Sequence, residues 1–151
     1  MGTLTDIVKA WADEYLNDSE LTTRDEGDRA TLKFTVTGES GEFTYRAFFE
    51  VKEAGEFVQL FIYPPAKAPA ARRVAVSELV VRINHELMYG YLDLDPEEGG
   101  LRFYADLNLT EGTLSTVMLD RLLQAGLSCL EWATPLVMAV AYANLSPACS
   151  R

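Results

Sequence analysis

The fold is decided by residues 75–109, which read AVSELVVRINHELMYGYLDLDPEEGGLRFYADLNL. In the first half, apolar residues recur at three- and four-residue spacing, which predicts a helix that ends at Tyr89 and is stopped by Gly90. Its buried stripe is predicted to comprise Val76, Leu79, Val80, Ile83 and Leu87. Residues 91–95 then predict a short edge strand, and residues 101–109 predict a longer strand after an acidic turn. The order helix, strand, turn and strand organises the rest of the chain.

Two further hairpins are predicted upstream, where the apolar period changes to two from Ala30 onward. If Glu39 and Ser40 form the first turn and Ala54 and Gly55 the second, the same side chains face inward in all three strands. The predicted pairs are Val36 with Phe43, Phe34 with Tyr45, Leu32 with Ala47, Val51 with Val58, Phe49 with Leu60, and Ala47 with Ile62.

The opposite face of these strands is polar at most positions, as expected for a sheet that buries one side only. The polar residues are Thr31, Lys33, Thr35, Thr37, Thr44, Arg46, Glu50 and Gln59. Phe48, Phe61 and Tyr63 interrupt this pattern, and the second hairpin pairs Phe48 with Phe61. Either another part of the fold or a second subunit covers these rings, or they form a patch for a partner. Together with Tyr104 on the later strand, they are our predicted partner-binding residues.

Two more helices complete the prediction, which also includes a weakly marked strand at residues 20–24. The first helix begins at Thr3, where a hydroxyl and the carboxylate of Asp6 can satisfy free amide groups, and it runs to about Leu16. The last helix begins near Thr113 or Ser115 and continues to Asn144, bent or interrupted at Pro135. We therefore expect a single α+β domain at residues 1–145 and a tail at residues 146–151.

The last helix is apolar on more than one side over residues 127–145. Glu131, Pro135 and Asn144 argue against a membrane span of that length. A helix of this kind is usually covered by its own sheet on one side and by another surface on the other. We therefore expect a homodimer, with interface residues Leu127, Leu130, Val137 and Val140.

Composition excludes several classes of partner. The 151 residues are 48% hydrophobic and 24% charged, as in an ordinary globular protein. A net charge of −10 opposes contact with nucleic acids and anionic membranes. The charge favours a basic protein partner, or it serves solubility alone. Two cysteines, Cys129 and Cys149, do not make a disulfide framework, and charged residues interrupt any signal peptide at the amino terminus, so a cytoplasmic protein is expected.

No constellation of residues predicts catalysis, a metal site or a cofactor. His85 is the only histidine, and no nucleophile or further ligand lies near it in sequence. The acidic residues Asp93, Asp95, Glu97 and Glu98 lie around a predicted turn in water, where pKa tuning is difficult. An alternative remains open: a small-molecule-sensing regulator or an enzyme with a pocket between the last helix and the sheet, using His85 or the Asp93 and Asp95 pair.

Several short motifs resemble the bacterial YbjN family. They are the helix end RINHEL at residues 82–87, the segment YLDLDPEEGGLRF at residues 91–103, and LDRLL at residues 119–123. The resemblance is strongest over residues 74–130 and weaker in the amino-terminal third. It implies an α-β-β-β-α-β-β-α domain similar to type III secretion chaperones, usually dimeric, with a regulatory or sensory role. No shared active site accompanies the family, so the resemblance implies no catalytic residue here.

Overall fold

The protein folds as one six-stranded antiparallel sheet with three α-helices, in a computed structural model that describes residues 2–150 and the side chains of residues 2–148. The elements in chain order are α1 (Thr3–Tyr15), β1 (Glu20–Arg24), β2 (Arg29–Thr37), β3 (Thr44–Lys52), β4 (Phe57–Tyr63), α2 (Arg73–Glu86), β5 (Tyr91–Leu94), β6 (Leu101–Asn108) and α3 (Thr116–Tyr142). Short 3-10 helices span Asp25–Gly27, Ala70–Arg72 and Pro147–Ser150. The strand order is β1-β2-β3-β4-β6-β5, and the predicted α+β class is confirmed.

Strand β1 adds one strand to the predicted order α-β-β-β-α-β-β-α. Its bounds are those of the weakly marked strand, and it pairs with β2 from Glu20 opposite Lys33 to Arg24 opposite Arg29. Leu21 is its only residue that is not exposed. A strand that buries so little carries no alternating apolar signal, which explains why the sequence marks it weakly.

The two hairpins differ in how well their registers were predicted. The second is confirmed, with Val51 opposite Val58 and Phe48 opposite Phe61. The first was wrong by two residues, because Phe34 lies opposite Ala47 rather than Tyr45. Its loop is longer than predicted: the Gly38 amide donates to the Phe43 carbonyl at 3.1 Å. An even shift keeps each side chain on its predicted face.

All three helices lie on the inward face of the sheet. Trp11 of α1 makes edge contacts with the rings of Phe34 and Phe49, at centroid distances of 5.5 and 5.2 Å. Helix α3 approaches so closely at Gly126 that an added Cβ would lie 2.6 Å from Ile62 and 2.9 Å from Phe103. These two contacts place the core between the helices and the sheet.

Helix α3 is continuous through Pro135, so of the predicted bend or interruption the interruption is wrong. It begins at the predicted place, where the Ser115 hydroxyl accepts a hydrogen bond from the Met118 amide at 3.2 Å. By length and composition it is apolar enough to cross a bilayer, yet half of its most apolar window is buried inside the protein, as is usual for a core helix. Its length therefore follows from packing on the sheet.

Helix α2 ends at Glu86, three residues before the predicted end, and Leu87 is already extended. Asn84 explains the early stop. Its side-chain amide donates to the Leu92 carbonyl at 3.0 Å, while its carbonyl accepts from the Leu92 amide at 2.7 Å. This pair of bonds occupies the outer edge of β5 and brings the chain from helix to strand. Gly90 has the positive φ of +65° that was expected of a glycine in the connection.

The predicted tail is partly ordered. Pro147–Ser150 form a short 3-10 helix, and Pro147 is buried. Arg72 contributes to this end of the molecule, because its guanidinium donates to the carbonyls of Val140 and Leu145 at 2.9 and 3.0 Å. The side chain of Cys149 lies outside the described residues.

Two carboxylates from distant parts of the chain anchor the helices. Glu53, in the β3–β4 turn, accepts hydrogen bonds from the amides of Leu4 and Thr5 at 3.1 and 2.8 Å and from the Thr5 hydroxyl. It thus caps α1, which corrects the cap predicted from Thr3 and Asp6. An anion at a helix amino terminus also stabilises the helix dipole.

Glu131 of α3 holds the β2–β3 loop in the same way. Its carboxylate accepts bonds from the Ser40 amide and hydroxyl, at 3.0 and 2.9 Å, and from the Tyr45 hydroxyl at 2.8 Å. The Ser40 amide and the Tyr45 hydroxyl lower the pKa of this carboxyl. Burial, followed by the bond to Glu131, raises the pKa of the Tyr45 hydroxyl, so it stays a donor at neutral pH.

We predict that Glu131→Gln lowers the free energy of unfolding by about 1 kcal/mol at pH 7, because charge-assisted bonds become neutral ones. The folded pKa lies below the ordinary value of 4.5, so this stability is present above that pH and is lost as pH falls through the folded pKa. Urea unfolding from pH 7 to pH 3 measures the effect. Wild type and variant should converge in acid, and a difference that stays constant with pH would contradict the prediction. Asp120→Asn, on the same helix, is the matched control, since Asp120 forms no hydrogen bond or ion pair with the residues that the structure describes.

We also predict that Gly126→Ala destabilises the fold by about 1–3 kcal/mol, although alanine favours helices. The new methyl group would overlap Ile62 and Phe103 and push α3 off the sheet. Thermal unfolding measures this, with Ser128→Ala at an exposed position of α3 as control. An unchanged or raised midpoint for Gly126→Ala would show that the helix moves without cost.

Candidate protein-binding surface

The outward face of the sheet carries a row of four aromatic rings, one from each of four neighbouring strands. Phe48 of β3 lies opposite Phe61 of β4, Phe61 opposite Tyr104 of β6, and Tyr104 opposite Tyr91 of β5. Each successive pair of ring centroids is 5.0 Å apart. We call this row the aromatic ladder. It crosses the strands at a right angle to the chain direction.

No helix covers the ladder, since the helices pack on the other face. Phe48, Phe61 and Tyr104 are half-buried by one another, and Tyr91 is 45% exposed. The inward neighbours Val58 and Leu60, by contrast, are fully buried. Adjacent large rings that remain in contact with water are typical of a surface that binds something.

Polar contacts hold the ladder in place. The Gln59 amide donates to the Tyr104 hydroxyl at 2.6 Å. Arg102 lies over the Phe61 ring at 5.2 Å and is fixed by two bonds of 3.0 Å to Asp93. Burial, followed by the charges of Tyr104 and Asp93, raises the pKa of Tyr91. The Tyr91 hydroxyl therefore stays protonated at physiological pH.

Beside the ladder lies a groove of about 590 Å³, which is lined in part by Glu20, Lys33, Arg46, Phe48 and Tyr63. Tyr63 stacks on Phe48 at 5.7 Å, and the Arg46 guanidinium lies over the Tyr63 ring at 5.4 Å. The groove is open because β1 begins only at Glu20 and leaves the last part of β2 without a neighbour on that side. It combines aromatic rings with cations.

The charge of the outward face is opposite to that of the chain. Its strand residues include six cations, namely Arg24, Arg29, Lys33, Arg46, Lys52 and Arg102, and four anions, namely Glu20, Glu50, Asp93 and Asp106. The whole chain has a net charge of −10. Six cations and four anions give the strand residues of this face a net charge of +2, in contrast to the negative chain.

The four predicted partner-binding residues are brought together on this face. Phe48, Phe61 and Tyr104 belong to the ladder, and Tyr63 stacks beside it. Sequence reasoning missed Tyr91, whose signal was its place at the start of the predicted edge strand. Working out the pairing of that strand with the one carrying Tyr104 would have found it.

The four predicted dimer-interface residues lie in the core of the protomer instead. The exposed fractions of Leu127, Leu130, Val137 and Val140 are 7%, 0%, 1% and 0%. Their assignment to an intermolecular surface is corrected, because these side chains are covered by the protomer's own fold. The exposed apolar residue on this part of α3 is Trp132, at 43%.

The residues of the alternative small-molecule site are not brought together. His85 is exposed on α2, Asp93 is bound to Arg102, and Asp95 accepts the Glu97 amide at 2.9 Å. Backbone bonds from Glu97 and Glu98 lower the pKa of Asp95, as in an acidic turn. A cleft of about 270 Å³ does separate α3 from β6, but it is lined by Tyr89, Leu107, Met118, Arg121, Leu122 and Ala125. It contains no carboxylate or histidine.

The geometry of the described residues favours neither a metal site nor a reactive thiol. Among the side chains of residues 2–148, no three from His, Cys, Asp or Glu cluster closely enough to hold a metal ion. Cys129 is buried in α3, and burial raises the pKa of its thiol to about 12. A thiol with that pKa is protonated at neutral pH and is a poor nucleophile.

The fold is similar to that of a chain in a solved structure described as "Structure of the HopA1-SchA Chaperone-Effector Complex". The TM-score is 0.52 at 18% sequence identity, over 85% of this chain and 88% of that one. At this identity the match concerns the fold, which is that of a type III secretion chaperone. No curated protein sequence matches the chain.

A family model matches residues 5–133, which is most of the chain. The family is YbjN, and its description is "Putative bacterial sensory transduction regulator". The match includes the helix end, the acidic turn and the later LDRLL motif on which the resemblance was based. The chain belongs to the YbjN family.

Proposed function

We propose that this protein is a non-enzymatic adaptor or chaperone-like regulator that binds another protein in the cytoplasm and acts as a homodimer. The observation that carries the proposal is the aromatic ladder on the uncovered face of the sheet. An ordered apolar strip in contact with water costs free energy in the isolated protein, and a partner that covers it recovers that free energy.

The comparisons with known proteins and the shape and composition of the surface support a protein as the ligand. The similar solved chain comes from a chaperone–effector complex, and the family is described as regulatory. The groove beside the ladder is broad and open, whereas small-molecule sites are usually enclosed. A flat aromatic strip with arginine beside it has the composition that protein interfaces favour.

The charge of the whole chain affects the approach of a partner, and the charge beside the ladder affects the contact itself. The net charge of −10 favours a basic protein during the approach, which was the original expectation. Contact at the ladder itself favours acidic groups, because Arg46 and Lys33 border it. A direct nucleic-acid partner is disfavoured by the same net charge.

Homodimer formation needs a surface other than the buried residues of α3. Helix α2 offers two exposed valines two turns apart, Val74 at 85% and Val81 at 68%. Glu78 lies between them on the same side of the helix. This apolar stripe is small, so the proposed dimer is weak unless further surface joins it.

We predict that sedimentation velocity detects a species of twice the 16.8 kDa chain mass and that Val81→Asp shifts it toward the monomer. Replacing one of the two valines by a carboxylate would add a charge that has to be buried on association, which is unfavourable. Ser128→Asp, at an exposed position of another helix, α3, adds the same charge and is the control. A wild-type protein that remains monomeric at high concentration would contradict the homodimer part of the proposal.

We predict that Phe48→Asp combined with Phe61→Asp abolishes capture of partner proteins by the purified, tagged chain from lysate of its native cell. Both changes place carboxylates in the ladder, while the inward face is untouched. Phe57→Asp is the matched control, because Phe57 lies on the outward face of β4 outside the ladder. Quantitative mass spectrometry compares the three captures after circular dichroism has shown that each variant is folded. Identical capture profiles for wild type and the double variant would exclude the ladder as the binding surface.

A further inference from the structure

We infer that the segment bound by the ladder is an amphipathic α-helix of the partner, laid across the strands, with acidic residues on the flank that faces Arg46. This inference rests on the proposed function and specifies its ligand. It follows from the spacing of the rings and from the distribution of charge on the two sides of the ladder.

The spacing of the rings fits a helix better than a strand. Successive rings are 5.0 Å apart, so the four rings span about 15 Å. One face of an α-helix repeats every 5.4 Å, and about ten residues of helix cover this length. The side chains on one face of an extended strand repeat about every 6.7 Å, which falls out of step with the rings within two intervals. A helix can place one apolar side chain beside each ring.

The two sides of the ladder differ in charge. On one side, the next row across the strands contains Arg46, Tyr63, Arg102 and Asp93. On the other side, the corresponding row contains Glu50, Gln59 and Asp106. A helix that binds here therefore meets Arg46 and the Arg102–Asp93 pair along one flank and the carboxylates of Glu50 and Asp106 along the other.

Among the described residues, two cations beside the rings have no carboxylate partner, Arg46 and Lys33. Arg102 is paired with Asp93 at 3.0 Å, and Glu50 with Arg24 at 3.3 Å. Within the described residues, Arg46 has no carboxylate partner and contacts the Tyr63 ring instead. An arginine held over a ring is oriented in advance for a carboxylate, which reduces the entropy lost on binding. Arg46 is thus the residue that selects an acidic flank.

The test uses three fluorescent synthetic peptides of 18 residues and the full-length chain. The first is an amphipathic helix with a leucine stripe and glutamates along one flank. The second replaces those glutamates with lysines. The third contains the residues of the first in a different order, so that leucines alternate with polar residues, except that two central residues are replaced by prolines. Fluorescence anisotropy at low salt measures each dissociation constant. We expect the glutamate helix to bind at least tenfold more tightly than either of the others.

Variants of the chain identify the residues that cause the preference for the glutamate helix. Arg46→Glu should remove or invert the preference for glutamate over lysine. Lys52→Glu, which makes the same change of charge on the same face and strand, should leave the preference intact. Phe48→Asp combined with Phe61→Asp should raise the dissociation constant of the glutamate helix at least tenfold. Hydrogen exchange should show protection of β3, β4 and β6 when the helix is bound.

Other occupants would appear as distinct results, each of which overturns the inference. Equal affinities for the glutamate and lysine helices would show that the ladder does not select an acidic flank. Tighter binding of the proline peptide than of the glutamate helix would indicate that the ladder binds an extended segment. Dissociation of a dimer by Arg46→Glu and by Val81→Asp alike would show that α2 of a second copy occupies the ladder. If any of these results occurs while the ladder variants still lose captured proteins, the proposed function stands and only the helical ligand is wrong. If capture is also unchanged, both proposals fail.

Discussion

The structure depends on one constraint: a single sheet must bury one face under three helices, and side chains that alternate along a strand cannot all be on that face. Trp11 and Gly126 mark close approaches of α1 and α3 to the sheet. Every ring on the opposite parity is consequently directed outward. The aromatic ladder is the result of alternation in four strands at once, and no change of side-chain conformation could bring it inside.

This constraint also explains which parts of the fold were predictable. The pairing of Phe48 with Phe61 followed from the alternation and from a short turn at Ala54 and Gly55, and it is confirmed. The first hairpin was two residues out of register because the alternation is unaffected by an even shift, and glycines at both Gly38 and Gly41 allow more than one turn. Strand β1 was weakly marked because it has almost no buried side.

Local sequence patterns could not predict contacts between distant parts of the chain. The cap of α1 comes from Glu53, some fifty residues away, so a search for caps near Thr3 could not find it. Apolarity along α3 was read as an intermolecular surface, but a stripe that packs on its own sheet has the same composition as one that packs on a partner. Tyr91 joined the ladder only through its pairing with Tyr104, which requires the order of strands in the sheet. The position of Arg46 over Tyr63 requires side-chain geometry.

The inward face of the sheet therefore stabilises the fold, and the outward face offers the binding surface. Glu53 and Glu131 fasten the helices and loops through hydrogen bonds on the inward side or at its rim. The outward rings contribute less to stability, since they stay partly in water after folding. Substitutions in the ladder can then change binding while the core stays intact. Substitutions in the core, such as Gly126→Ala, change stability while the binding surface stays intact. A sheet covered on one side only is thus a scaffold in which stability and recognition depend on different residues of the same strands.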